Sequence, residues 1–126
     1  MAPHIVIVDA DRSAAHVTGA LIERIAPDAT LTYATTPYQG WLAAQCTAPH
    51  VMIIDPGPSV PASTLLLQLC KDVWPLMQVV VLTPARTNTT RCPADVHIDK
   101  SVAAPTLVNT LRGVIQHATG VLHPAH

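Results

Sequence analysis

The chain has 126 residues, of which 49% are hydrophobic and 12% charged, with a formal net charge of −1. That is the length of one domain with enough apolar material for one core, so neither a second domain nor wholesale disorder is expected. The seven Lys and Arg are scattered from Arg12 to Arg112, so no basic cluster is available for direct nucleic-acid binding.

No apolar run reaches the length of a membrane span. Met1-Ala2-Pro3-His4 leads straight into a strand-like segment, without the basic start and long apolar stretch of a secretory signal. The expectation is a cytoplasmic protein with no membrane contact. Cys46, Cys70 and Cys92 are widely spaced and form no CxxC, as expected of reduced structural thiols. The seven histidines, among them His4, His16, His50, His97 and His117, recur at no metal-ligand spacing.

Ile5 to Val8 is a β-branched run of strand length, bounded by Pro3 and Asp9. Asp11 or Ser13 can cap the helix that follows, in which Ala14, Val17, Leu21 and Ile25 recur at helical spacing and Pro27 ends the pattern. Ala29 to Ala34 alternates as a second strand. Thr36-Pro37 opens a helix to about Cys46, with proline in its first turn. Val51 to Ile54 is continuously apolar, as in a strand buried on both faces, and stops at Asp55.

The loop Pro56-Gly57-Pro58-Ser59-Val60-Pro61 is read as non-helical. Ala62 to Val73 is then a helix with Leu65, Leu66, Leu69 and Val73 on one side. Val79 to Leu82 is a fourth strand ending in Thr83, and Val96 to Ile98 a fifth. Between them, residues 84–93 show almost no apolar periodicity, so a helix there is expected to be short or absent. Ala103 to about His117 closes the fold with Leu107, Leu111, Val114 and Ile115 inward. The core is placed at residues 4–118, with 119–126 as a tail.

Strands alternating with helices, and no tight hairpin, define a three-layer α/β fold: a doubly wound, parallel, five-stranded (βα)5 sheet with right-handed crossovers. In such a sheet ligands bind beyond the carboxyl ends of the strands. There the sequence places Asp9 and Asp11 after strand one, Asp55 after strand three, Thr83 after strand four, and Asp99 and Lys100 after strand five. Local readings remain open for several of these. Asp9 and Asp11 also fit as helix caps, Asp55 as a turn acid, and Thr83 as a cap before Pro84. Lys100 is one of only two lysines.

Four blocks resemble response-regulator receiver domains, in the family's order and from about His4 to Ile115. Val6-Ile7-Val8-Asp9-Ala10-Asp11 is similar to the acidic turn, and Met52-Ile53-Ile54-Asp55 to the phosphoacceptor strand. Val79-Val80-Val81-Leu82-Thr83 is similar to the strand ending in a switch hydroxyl, and Ala94-Asp95-Val96-His97-Ile98-Asp99-Lys100 to the segment ending in the lysine.

The resemblance implies strand order 2-1-3-4-5 and Asp55 as the nucleophile that becomes an aspartyl phosphate. It implies Mg²⁺ held by Asp9, Asp55 and the carbonyl of Gly57, with Asp11 as a further candidate ligand. Lys100 would pair with the phosphoryl group and Thr83 would hydrogen-bond it. It further implies a sensor histidine kinase or phosphotransfer protein upstream, and a downstream protein or output domain. No enzymatic activity is expected beyond self-phosphorylation and slow autodephosphorylation.

The chain departs from the family pattern in several places. Ala10 stands where a second acidic residue is usual, and Ser101 replaces the proline after the lysine, which favours a trans peptide there. The loop after Asp55 holds three prolines, and the span from Thr83 to Lys100 is short. His97 takes the place of the aromatic switch residue. These departures motivate a second reading, a pseudo-receiver acting as a phosphorylation-independent interaction module. A flavin or nucleotide enzyme on the same fold is disfavoured by the lack of GxGxxG, a P-loop or a Ser/Thr-rich first turn. For a homodimer or partner surface, the exposed face of the last helix is the expected place.

Overall fold

Runs of valine and isoleucine with no polar alternation can be buried only if helices cover both sides of the sheet they form. The computed structural model, which describes residues 2–57, 60–83 and 93–122, has this arrangement. Its strands are β1 (His4–Val8), β2 (Thr30–Ala34), β3 (Val51–Ile54), β4 (Gln78–Thr83) and β5 (Val96–Asp99). They form one sheet in the order β2-β1-β3-β4-β5, with every pairing parallel. β1 and β3 are buried at every position.

The described helices are α1 (Arg12–Ile25), α2 (Pro37–Cys46), α3 (Val60–Val73) and α4 (Ala104–Leu122). Alternate strand residues face opposite layers. Ile5, Ile7, Ile53, Val80 and Leu82 pack with Ile22 of α1 and Leu111, Val114 and Ile115 of α4. Val6, Val8, Met52, Ile54, Val79 and Val81 pack with Ala44 of α2 and Leu66, Leu67 and Cys70 of α3. Trp41 of α2 and Trp74, just beyond α3, belong to this second layer, their rings 6.0 Å apart. Burial pushes the Cys70 thiol up to about 11. The expected loss of a helix between β4 and β5 falls on residues 84–92, outside the described residues.

Local chemistry sets the helix starts. Asp11 caps α1 by accepting hydrogen bonds from the amides of Ser13 and Ala14, and Thr36 caps α2 by accepting one from Gln39. The lateral placement of two helices differs from the sequence expectation. α1 buries Ala15, Thr18, Gly19 and Ile22, whereas Val17 is 64% exposed. At Gly19 no side chain fits, because Tyr33 lies across this position. A Cβ on Gly19 would stand 1.9 Å from the Tyr33 hydroxyl. Thr18 is tolerated on the buried face because its hydroxyl donates to the Ala14 carbonyl.

In α3 the buried positions are Ser63, Leu66, Leu67 and Cys70, while Leu65, Leu69 and Val73 face outward. Three consecutive leucines sweep more than half of the helix circumference, so hydrophobicity alone does not choose a face. The i, i+3, i+4, i+7 spacing of Ser63, Leu66, Leu67 and Cys70 does. The helix also begins at Val60, two residues earlier than expected, because Pro61 lies in the first turn, where its missing N–H costs nothing. α4 continues to Leu122, so residues 119–122 are helical and not part of a tail. At the amino-terminal end of β4, Asp95 accepts a hydrogen bond from the Val79 amide and pairs with Lys71 at 3.0 Å.

The α3 assignment predicts unequal costs for two neighbouring leucines. Leu67→Ala should destabilise the fold by about 2–5 kcal/mol. Leu65→Ala should cost less than about 0.5 kcal/mol. Urea denaturation checks this; equal costs would mean that α3 is rotated about its axis.

Candidate functional site

The sheet's hydrogen bonding continues one residue past its strands, and this fixes the backbone of the polar residues at its carboxyl edge. The amide of Asp9 donates to the Ala34 carbonyl at 2.9 Å, and that of Asp55 to the Val8 carbonyl at 2.9 Å. The amide of Lys100 donates to the Thr83 carbonyl at 2.7 Å. Asp9, Asp55, Thr83 and Lys100 are therefore attached to the ends of neighbouring strands and converge on one edge.

Asp9 and Asp55 are organised alike. Oδ1 of Asp9 accepts the amide of Asp11 at 2.9 Å, and Oδ1 of Asp55 accepts the amide of Gly57 at 2.9 Å. Each acid thus closes its own turn with one oxygen and directs the other at Lys100. The ammonium hydrogen-bonds Oδ2 of Asp55 and lies 3.6 Å from Oδ2 of Asp9. Side-chain exposure is 7% for Asp9 and 12% for Asp55, against 32% for Lys100. Two shielded carboxylates facing one ammonium leave one uncompensated negative charge, at a place open enough to be reached.

Partial burial pulls the Lys100 ammonium down, but its hydrogen bond to Asp55 and the charges of Asp55 and Asp9 outweigh this. The result is a pKa above the ordinary 10.5. Asp99 and Ser101 hold the backbone that carries the lysine. Both the amide and the hydroxyl of Ser101 donate to Oδ1 of Asp99 at 2.8 Å, which lowers the Asp99 pKa. Sequence reading missed this support, although the Asp-x-Ser spacing is that of an Asx turn. The Lys100–Ser101 peptide is trans, as the serine favours.

The other expected residues take distinct places. Thr83 is buried, and its hydroxyl donates to the Ile98 carbonyl at 3.5 Å, the outer limit of a hydrogen bond. Gly57 adopts φ +51°, a left-handed conformation that glycine takes without penalty. Asp11 is the cap of α1, and Ala10 is exposed. His97 is exposed on the edge strand β5. His4 and His50 are buried at the opposite edge, where Nδ1 of His50 accepts the His4 amide at 3.0 Å.

Among the described residues, no group of three or more His, Cys, Asp or Glu side chains is placed to hold a metal. The nearest approach is the pair Asp9 and Asp55, both hard oxygen donors of the kind Mg²⁺ takes. The Gly57 carbonyl follows in the same loop. Among the same residues, no helix is long and apolar enough to cross a membrane.

No protein-family model and no curated sequence matches the chain; its likeness is to solved structures. A response regulator receiver domain protein from Clostridium thermocellum superposes with a TM-score of 0.75 at 19% identity, over 96% of this chain and 99% of that one. A CheY-like response regulator receiver domain protein from Methanospirillum hungatei gives 0.76 at 19% identity, over 94% and 98%. NtrX from Brucella abortus, solved in complex with ATP, gives 0.76 at 18% identity, over 94% of this chain and 28% of that longer one. The chain has the receiver-domain fold.

Because the folded-state pKa of Lys100 is raised, its contribution to stability is complete below the ordinary value. It is lost as pH rises through the raised one. Lys100→Met should therefore lower the urea midpoint at about pH 8, and the gap to wild type should close as pH rises through the raised Lys100 value. A gap of constant size would show that the ammonium's charge contributes nothing.

Proposed function

We propose that this chain is a phosphoacceptor receiver domain of two-component or phosphorelay signalling, with Asp55 as the acceptor. The observation that carries this reading is the Lys100 ammonium bridging Asp55 and Asp9 at the carboxyl edge of a receiver-type sheet. A carboxylate oriented on both oxygens, next to a cation that can follow a transferred charge, suits nucleophilic attack at phosphorus.

In the forward step an Asp55 oxygen attacks the donor's phosphorus. The bond from phosphorus to the donor breaks, its electron pair leaves with the donor, and an aspartyl phosphate remains. The Gly57 amide and Lys100 hold the carboxylate before attack, and Lys100 then balances phosphoryl charge as a point cation. Thr83 gives up only a long contact with Ile98, so its hydroxyl can be recruited by a phosphoryl oxygen at little cost. Movement of Thr83 and Lys100 pulls on β4 and β5 together, because the Lys100 amide is bonded to the Thr83 carbonyl. Mg²⁺, if bound by Asp9, Asp55 and the Gly57 carbonyl, would neutralise phosphoryl oxygens. The partners this role calls for are a histidine kinase or phosphotransfer protein and a downstream protein; the chain would catalyse nothing beyond its own phosphorylation and slow dephosphorylation.

A second reading, a pseudo-receiver that binds partners without phosphorylation, is favoured by one feature. Ala10 supplies no carboxylate and Asp11 is engaged as a helix cap, so the acidic turn offers one ligand where two are usual.

Intact-mass measurement after incubation with a small-molecule phosphodonor and Mg²⁺ separates the two. The phosphoacceptor predicts a gain of one phosphoryl mass in wild type and none in Asp55→Asn. No gain in either, together with a flat magnesium titration, would sink the phosphoacceptor role and leave the interaction module.

A further inference from the structure

Helix α2 has ten residues where α1 and α3 have fourteen, and the shortfall shows along β2. Thr30, Thr32 and Ala34 share one face of that strand. Ala34 is buried in the layer with α2, Thr32 is half-buried, and Thr30 is exposed. Where the cover runs out, a hollow of about 730 Å³ opens, lined by the starts of β1 and β2 and by the loops that follow α2 and α3. That volume falls within the roughly 300–1,000 Å³ of small-molecule sites. The hollow lies at the sheet edge opposite Asp55 and contains none of the residues of the candidate site.

Its lining is of two kinds. Pro49, Val73, Trp74, Pro75 and Leu76 are apolar, and Val73 and Leu76 stay 54% and 51% exposed within a concave surface. His4, Thr30, Thr32, Thr47 and His50 are polar. Among the described residues, no Asp, Glu, Lys or Arg lines the hollow. Lys71, close by in sequence, is engaged with the Met77 carbonyl and Asp95. The borders are also tied down. Pro49 and Pro75 fix φ in two of the loops. The His50 amide donates to the His4 carbonyl at 2.8 Å, the Gln78 amide to the His50 carbonyl at 3.0 Å, and the Met77 amide to the Trp74 carbonyl at 3.0 Å.

The buried histidines set the hydrogen-bond character of the polar part. Nδ1 of His50 accepts the His4 amide, so the proton of the neutral ring sits on Nε2. Nε2 of His4 lies 2.8 Å from Oγ1 of Thr32, while Nδ1 of His4 is enclosed with no hydrogen-bond partner. Enclosed N–H groups without an acceptor are rarer than under-satisfied acceptors. The His4 proton is accordingly assigned to Nε2, donating to Thr32. With Oγ1 accepting from His4, the Thr32 hydroxyl keeps its own hydrogen for another acceptor.

We propose that this hollow is a binding site for a small uncharged molecule with a flat apolar body and one hydrogen-bond acceptor. The body lies against Trp74 and Leu76, where an aromatic ring finds a stacking face, and the acceptor receives the Thr32 hydroxyl. An ionised ligand would enter a lining that supplies no counter-charge. The site uses none of Asp9, Asp55, Thr83 or Lys100, so the proposal stands whether or not Asp55 is phosphorylated.

Coumarin, which is flat, uncharged and carries a ring carbonyl, is the probe, titrated to millimolar concentration and followed by amide NMR. Saturable shifts are expected at Thr32, His50, Trp74 and Leu76. Leu76→Glu, at a half-exposed position of the apolar lining, should weaken binding on the order of 10-fold or more by placing a charge there. Thr32→Val should weaken it roughly 3- to 10-fold through the lost hydrogen bond. Leu69→Glu, on α3 outside the hollow, should bind as wild type does, and the spectra themselves report that each variant is folded. Shifts that never saturate, shifts confined to the groove around Tyr38 and Leu65, or wild-type affinity in both Leu76→Glu and Thr32→Val would overturn the proposal. A negatively charged coumarin carboxylate that binds as tightly as coumarin would overturn the assignment to uncharged ligands.

Discussion

The governing constraint is a parallel sheet whose central strands are buried on both faces. Such a strand is apolar through its middle and keeps polar side chains for its ends, as with His4 at the start of β1 and Thr83 at the close of β4. Every group able to do chemistry must then wait for the strand to end, and parallel strands end on the same side. Asp9, Asp55, Thr83 and Lys100 meet for this reason, although up to 91 positions separate them in the chain. The backbone bonds from Asp55 to Val8 and from Lys100 to Thr83 turn this coincidence of endings into a fixed geometry.

Electrostatics at that edge follow from the same arrangement. Asp9 is shielded more than Asp55 and is the less able of the two to tolerate an unpaired charge. The lysine between them compensates both, at the cost of leaving neither fully satisfied. This is a poised cluster, since any added anion or cation redistributes the ammonium between its two partners. A similar economy acts at the other end of β4, where the second lysine, Lys71, is held by Asp95 and the Met77 carbonyl.

The strands and their polar ends were legible because burial on two faces leaves an unmistakable trace, an unbroken apolar run that stops at an acid or a hydroxyl. The helical faces were less legible. On α1 the inward positions beside Ile22 are alanine, threonine and glycine, and the glycine fits under Tyr33, a residue fourteen positions beyond Gly19 that no local periodicity can anticipate. On α3 a triple leucine hid the face. In both helices the visibly hydrophobic residues, Val17 in one and Leu65 and Leu69 in the other, turned outward. The site's acids and lysine could be named from the sequence, but the division of each carboxylate between a turn amide and the ammonium could not. That division depends on backbone conformation at Gly57 and Asp11. The Asp99–Ser101 turn was visible as a spacing and still overlooked, because its role is to carry the residue between them.

The placement of the aromatic residues has an optical consequence. The chain's two tryptophans, Trp41 and Trp74, stand within 6.0 Å of each other in the α2–α3 layer, and the α1–α4 layer has none. Tryptophan fluorescence therefore observes one side of the sheet. A quench or blue shift reports solvent access to that layer, while rearrangements confined to the opposite side pass unseen. Any emission change caused by an event at the carboxyl edge would mean that the disturbance had crossed from the strand ends into this layer.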